Sequence, residues 1–107
     1  MKLNGVKVDV DFLDLETARR YEEGVKKIEE FVRKNKDVKC SLSEAIEANC
    51  GAIIEFLDHV IGEGTAAKVF GGKTNLRTCT EVYGQLSDEL NRQAKSAGTI
   101  LRRESAD

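Results

Sequence analysis

Four glycines fall within the eleven residues Gly62 to Gly72, inside the run GEGTAAKVFGGKTNLR that ends at Arg77. The rest of the chain reads mostly as charged helix, so this segment decides how the helices can be arranged. Glycine adopts the left-handed conformation that ends a helix without steric cost. Gly62-Glu63-Gly64 therefore stops one helix, Thr65 caps a short helix over 66–70, Gly71-Gly72 stops that in turn, and Thr74 or Asn75 caps the last helix. The chain has to turn sharply twice, and no ligand is needed to explain why.

The same run contains Gly72-Lys73-Thr74, the end of a phosphate-binding loop. That loop requires Gly-x-x-x-x-Gly-Lys-Ser/Thr after a buried strand. Counting back, the first glycine is replaced by Ala67, and a helical pattern precedes it. Nucleotide binding is not expected. What remains is a weak anion site where Lys73, Thr74 and open amides converge at a helix start.

Before the glycine segment lie two helix patterns. The first spans about Leu15 to Lys36, with Asp14 as N-cap and Glu16 near the positive helix start. Ala18, Tyr21, Val25, Ile28 and Val32 form one narrow apolar seam. Gly24 and Phe31 fall off that seam and mark a second contact. The opposite face carries Glu22–Lys26, Glu23–Lys27, Glu29–Arg33 and Glu30–Lys34, all acid-first i,i+4 pairs, each adding about 0.2–0.5 kcal/mol to a solvated helix. The second helix opens at Ser41-Leu42-Ser43-Glu44, a capping box, and runs to about Ile61. Leu42, Ile46, Cys50, Ile53, Leu57, Val60 and Ile61 make its broad core stripe, with Asn49 and Phe56 at the margin. Its back gathers Glu44, Ala48, Gly51, Glu55 and Asp58, which either faces solvent or lets another backbone approach closely. His59 lies near Glu55, and the expectation is a surface ion pair.

The last helix spans about Asn75 to Arg102. Leu76, Cys79, Tyr83, Leu86, Leu90, Gln93, Ala97 and Ile100 step by three and four over ~40 Å. A domain of this size covers about two thirds of such a seam, so Ala94 to Leu101 is expected to project and to pair with another subunit. At the other end of the chain, Val6, Val8, Val10 and Phe12 alternate with Lys7, Asp9 and Asp11, the period of a half-buried strand. Asn4-Gly5 is a strong hairpin signal. A lone hairpin is marginal in water, so it must rest on the helices or pair with a strand of another chain.

Composition narrows the function. With 107 residues, 40% hydrophobic and 34% charged, the chain makes one globular domain. No apolar run reaches the ~20 residues of a membrane span, and the first residues lack a signal-peptide pattern. A net charge of −2 argues against a nucleic-acid partner. Cys40, Cys50 and Cys79 are odd in number and unpaired in spacing, which fits neither a disulfide framework nor a zinc site and suits a reducing cytoplasm. Cys50 and Cys79 fall on apolar faces, as core cysteines do. No catalytic constellation is visible, so neither an enzyme nor a cofactor is expected.

The expected architecture is an α+β, mainly α fold. A short N-terminal β-hairpin or strand precedes three main helices, with a short helix between the last two. Residues 1–101 form the domain and 102–107 a flexible C-terminal tail, and short loops favour antiparallel neighbours.

Three runs carry a family resemblance: Phe70-Gly71-Gly72-Lys73-Thr74-Asn75-Leu76-Arg77, Gly62-Glu63-Gly64-Thr65-Ala66, and the start Met1-Lys2-Leu3-Asn4-Gly5. Ser41-Leu42-Ser43-Glu44-Ala45-Ile46 belongs to the same pattern. Over about residues 1–95 the chain resembles a family of small proteins from phages and prophages of Gram-positive bacteria. That family has no assigned function, and its members resemble tail-module proteins, in particular tail assembly chaperones. The resemblance implies a protein of the bacterial host cytoplasm that binds a tape-measure or other tail protein and keeps its helices soluble. The interaction surface expected on this reading comprises Val25, Ile28, Val32, Phe70, Ala97, Ile100 and Leu101. Two alternatives stay open: a structural virion component (head–tail connector or tail completion protein), and a small phage-encoded regulator of a host protein.

Overall fold

In a computed structural model the chain forms strands β1 (Lys2–Leu3) and β2 (Val6–Lys7), then helices α1 (Leu15–Asn35), α2 (Leu42–Val60), α3 (Thr65–Phe70) and α4 (Leu76–Ser105). The fold is α+β and mainly α. The structure describes the backbone of residues 1–105 and the side chains of residues 1–98. Helix α4 continues through 102–105, a stretch expected to be tail, and residues 106 and 107 lie outside the described residues. The sequence there has no helix breaker after Gly98 and offers Arg102 and Arg103, whose charge suits a helix C-terminus.

The hairpin turns at Asn4 (φ 51°) and Gly5 (φ 79°), the doubly left-handed geometry of a type I′ turn. Lys2 pairs with Lys7 and Leu3 with Val6, so the pairing is within the chain. It rests on the helices: Leu3 is fully buried, the Asn4 backbone N–H donates to Gln85 Oε1 at 3.2 Å, and Asn4 Nδ2 donates to the Val69 carbonyl at 2.9 Å.

Helix α1 starts where Asp14 accepts a bond from the Thr17 N–H. Of its four acid-first pairs Glu30–Lys34 forms, at 3.8 Å, while Arg33 turns to Glu30 rather than Glu29. The capping box of α2 forms as its sequence requires. Leu42, placed in the core stripe by periodicity, is 77% exposed, because the first turn of α2 extends past the end of the packed region. Phe56, placed at the margin, is instead central. It takes part in a chain of aromatic contacts running Phe12–Tyr21–Phe56–Tyr83, with ring centroids 5.4, 5.6 and 5.1 Å apart.

Contacts run in the same order along α2 and α4: Cys50 meets Cys79 and Phe56 meets Tyr83. These two helices are therefore parallel neighbours, not antiparallel as short loops alone imply. Tyr21 of α1 meets Phe56 and reaches Ser87, whereas Ile28, later in α1, lies beside Ala52, so α1 runs against both. Helix α3 and its two glycine turns make the parallel relation possible by carrying the chain back along α2. Gly62, Gly64, Gly71 and Gly72 all have positive φ. Thr65 is the first residue of α3 rather than its cap. Its hydroxyl donates back to the Gly62 carbonyl, and Asp58 of α2 accepts the Ala66 N–H at 2.9 Å.

The core holds Leu3, Phe12, Phe56, Leu57, Val82 and Leu86 with Cys50 and Cys79 among others. Val82 is buried although it lies outside the α4 seam of three- and four-residue steps. Helix α4 leaves the core at Gln93. There the Phe12 N–H donates to Gln93 Oε1 at 2.8 Å, and Gln93 Nε2 donates to the Val10 carbonyl at 2.9 Å. Glu89 accepts from Arg92 and from Gln93, and these bonds hold its carboxyl at about 2, below its ordinary 4.5, so it remains an acceptor well into acid.

Gly24 is the one buried residue of α1. A Cβ there would lie 2.7 Å from Phe56 Cδ2, whereas one on Gly84 meets nothing within 4 Å. Displacing the Phe56 ring costs about 1–3 kcal/mol, more than the ~1 kcal/mol that helix propensity returns. Urea unfolding should therefore show Gly24→Ala destabilised and Gly84→Ala stabilised by up to about 1 kcal/mol.

Candidate interaction surface

Alongside this close approach, α1 and α2 do not fill the space between them. A groove of about 290 Å³ opens there. Gly24, Ile28 and Phe31 line it from α1, and Ala48, Gly51 and Ala52 from α2. The sequence reading left two roles open for the small residues of α2, solvent face or close approach. The structure makes them one side of a groove: a Cβ on Gly51 would meet nothing within 4 Å. Lys27 stands on the α1 rim, and Glu47 and Glu55 on the α2 rim. His59 also lines the groove, with Nε2 3.2 Å from Glu23 Oε2. It forms a surface pair, as expected, though with Glu23 of α1 rather than with Glu55.

A second hollow of about 180 Å³ shares Ile28, Phe31 and Ala52 with the first and adds Val32, Asn49, Ile53, Thr80 and Tyr83. Ile28, Phe31 and Ala52 are thus a wall between two apolar depressions. Phe31 is half-buried and belongs to neither the core nor the layer packed on it. Val32 is 59% exposed. Two depressions parted by a ridge suit the side-chain rows of an amphipathic helix, which pack ridge into groove.

Of the residues expected at the surface, the structure brings Ile28 and Val32 together here. Val25 is half-buried against the core and borders a separate shallow hollow with Tyr21. Phe70 is corrected: it is 7% exposed and part of the core. Helix α3 has only six residues, and Ala66, Val69 and Phe70 are what fasten it, so the ring turns inward. Ala97 is half-buried far along α4, and the side chains of Ile100 and Leu101 lie outside the described residues. Sequence reasoning did not assemble Phe31, Ala48, Gly51, Ala52 and Tyr83 into a site. The off-seam positions of Gly24 and Phe31 were the available signal.

The groove thus combines apolar walls with four ionisable residues, Lys27, Glu47, Glu55 and His59. In the glycine turn, the Lys73 N–H donates to the Phe70 carbonyl and the Thr78 N–H to Asn75 Oδ1, so two of the amides near the expected weak anion site are engaged. Burial, and then the neighbouring Cys50, push the Cys79 thiol up to about 12. Among the described residues no group of His, Cys, Asp and Glu is arranged to hold a metal ion, and no helix is long and apolar enough to cross a membrane.

The fold and surface define a small, mainly α domain with an open apolar groove. The chain belongs to the family described as "Family of unknown function (DUF6673)", whose model matches residues 4–103. No curated protein and no solved structure matches it.

Cys40 is exposed, whereas Cys50 and Cys79 are buried side by side. Titration of the native protein with a thiol reagent should label Cys40 promptly and the other two only after unfolding. Labelling of Cys50 or Cys79 at the Cys40 rate would contradict the packing of α2 on α4.

Proposed function

We propose that this protein is a helix-binding protein of phage tail morphogenesis, a tail assembly chaperone-like chain acting in the bacterial host cytoplasm. One observation carries the reading. The domain closes its core with Phe56, Leu57, Val82 and Leu86, yet leaves Phe31 and the small residues of α2 as an unfilled apolar groove. A side chain such as Phe31 earns no core contact where it stands, and docking an apolar helix would remove it from water. A tape-measure protein offers long helices that need such shielding before assembly, and the resemblance of the glycine segment and the Ser41–Ile46 helix entry points to that setting. Nothing in the site calls for chemistry on a small molecule.

A structural role in the virion is the second reading, and the length of α4 beyond Gln93 favours it, since a projecting helix suits a ring of subunits. A ring component would be found in mature particles, and a chaperone would not.

Co-expression with a cognate tape-measure fragment tests the first reading. The fragment should become soluble and co-purify. Phe31→Asp should weaken capture about thirtyfold, as loss of a ~2 kcal/mol anchor does, with helix content unchanged because Phe31 lies outside the core. Absence of capture by the unmodified protein would overturn the proposal.

A further inference from the structure

We infer that the helix received by the α1–α2 groove is basic along one flank, with a large apolar side chain seated at Gly51 and a lysine or arginine about one turn to either side of it. The inference rests on reading the groove as a helix-binding site. It names the chemistry that the bound segment must carry.

Three observations support it. First, Glu47, Gly51 and Glu55 stand four residues apart on α2, and all three line the groove. They form one row on the helix surface, the kind of row against which a second helix packs. Gly51 is a notch in that row, since a Cβ there would meet nothing within 4 Å. A bulky apolar side chain of a partner can enter the notch, and Ala48 and Ala52 beside it let the two axes come close. Second, the notch is flanked by open charge. Glu47 and Glu55 lie one turn before and one turn after Gly51, ~12 Å apart along the axis. Both are exposed, and neither is in an ion pair among the described residues. The next residue of the same row, His59, is by contrast held by Glu23. Two carboxylates on either side of an apolar notch match two cations about seven or eight residues apart on a docked helix. Third, the facing wall confines the basic residues to one flank. Lys27 lines the groove from α1, exposed and outside any ion pair among the described residues. A helix basic on both flanks would set a like charge against Lys27, and an acidic helix would set like charges against Glu47 and Glu55.

Exposed ion pairs add little to affinity. Apolar contact at the notch therefore holds the helix, and the charges select which helix is held and which flank faces α2.

The test uses the full-length chain and two fluorescein-labelled synthetic helices, read by anisotropy. The first has a leucine face, lysines one turn before and after the central leucine on one flank, and glutamines on the other. The second has glutamates in place of the lysines. The lysine helix should bind at least about tenfold more tightly, and its advantage should shrink as salt rises. Glu47→Lys with Glu55→Lys should reverse the order. Glu81→Lys with Asp88→Lys makes the same change in net charge at exposed positions of α4 outside the groove, and should leave the preference within about threefold. Gly51→Leu fills the notch and should weaken both helices at least about tenfold. Equal binding of the two helices overturns the inference, and so does binding of neither. A preference lost equally on changing α4 overturns it, as does binding indifferent to Gly51→Leu. Self-association of the unmodified chain that the Glu47 and Glu55 reversal abolishes would make the occupant a second copy and overturn it too. Should the double reversal lose helix content by circular dichroism, Glu55→Lys alone and Gly51→Leu still decide. Capture of a tape-measure fragment that ignores both the reversal and Gly51→Leu would sink this inference and leave the proposed function standing. The expected preference between the synthetic helices, with no capture of the fragment, would do the reverse.

Discussion

Phe56 meets Gly24 where α1 crosses α2, and the rest of the arrangement depends on that contact. With no side chain at Gly24, the ring lies against the α1 backbone and still touches Tyr21 and Tyr83. One aromatic side chain thereby fixes the spacing of three helices. The close approach holds α1 and α2 together at one level, while the neighbouring Ala48, Gly51 and Ala52 leave volume unfilled. Groove and core are two results of where the small residues fall. A larger residue at position 51 would close the groove with no need to disturb Phe56.

The parallel packing of α2 and α4 is the second organising constraint. Two consecutive helices joined by a short loop normally lie antiparallel. Here a six-residue helix, bounded by glycines in the left-handed region, returns the chain along α2 before α4 begins. Asp58 fastens that return by accepting the Ala66 N–H, so α2 itself orients the start of α3. This places Cys50 against Cys79 and brings the beginning of α4 beside the end of α1.

Much of this was legible from local chemistry. The Asn4-Gly5 turn, the Ser41–Glu44 capping box, the Asp14 cap and the glycine stops each follow from a few adjacent residues. Periodicity located the core faces of α2 and α4, with Cys50 and Cys79 among them. Tertiary relations were less accessible. Leu42 fits the core period yet lies beyond the packed region, and Phe70, expected at the interaction surface, anchors a short helix in the core. The groove was the hardest element to read, because it is defined by volume that side chains do not fill. Gly24 and Gly51 look alike in sequence, but one is pressed against a ring and the other faces open space.

The hydrogen bonds that Gln93 donates to Val10 and accepts from Phe12, and the one from Asn4 to Gln85, span more than eighty positions of chain. On a ribosome, which delivers the amino terminus first, the opening hairpin is made long before its support exists. Val6, Val8 and Val10 must wait in water until α4 has emerged. Formation of the native state is therefore a late, non-local event, and a nascent chain halted before α4 would present a bare strand edge to its surroundings.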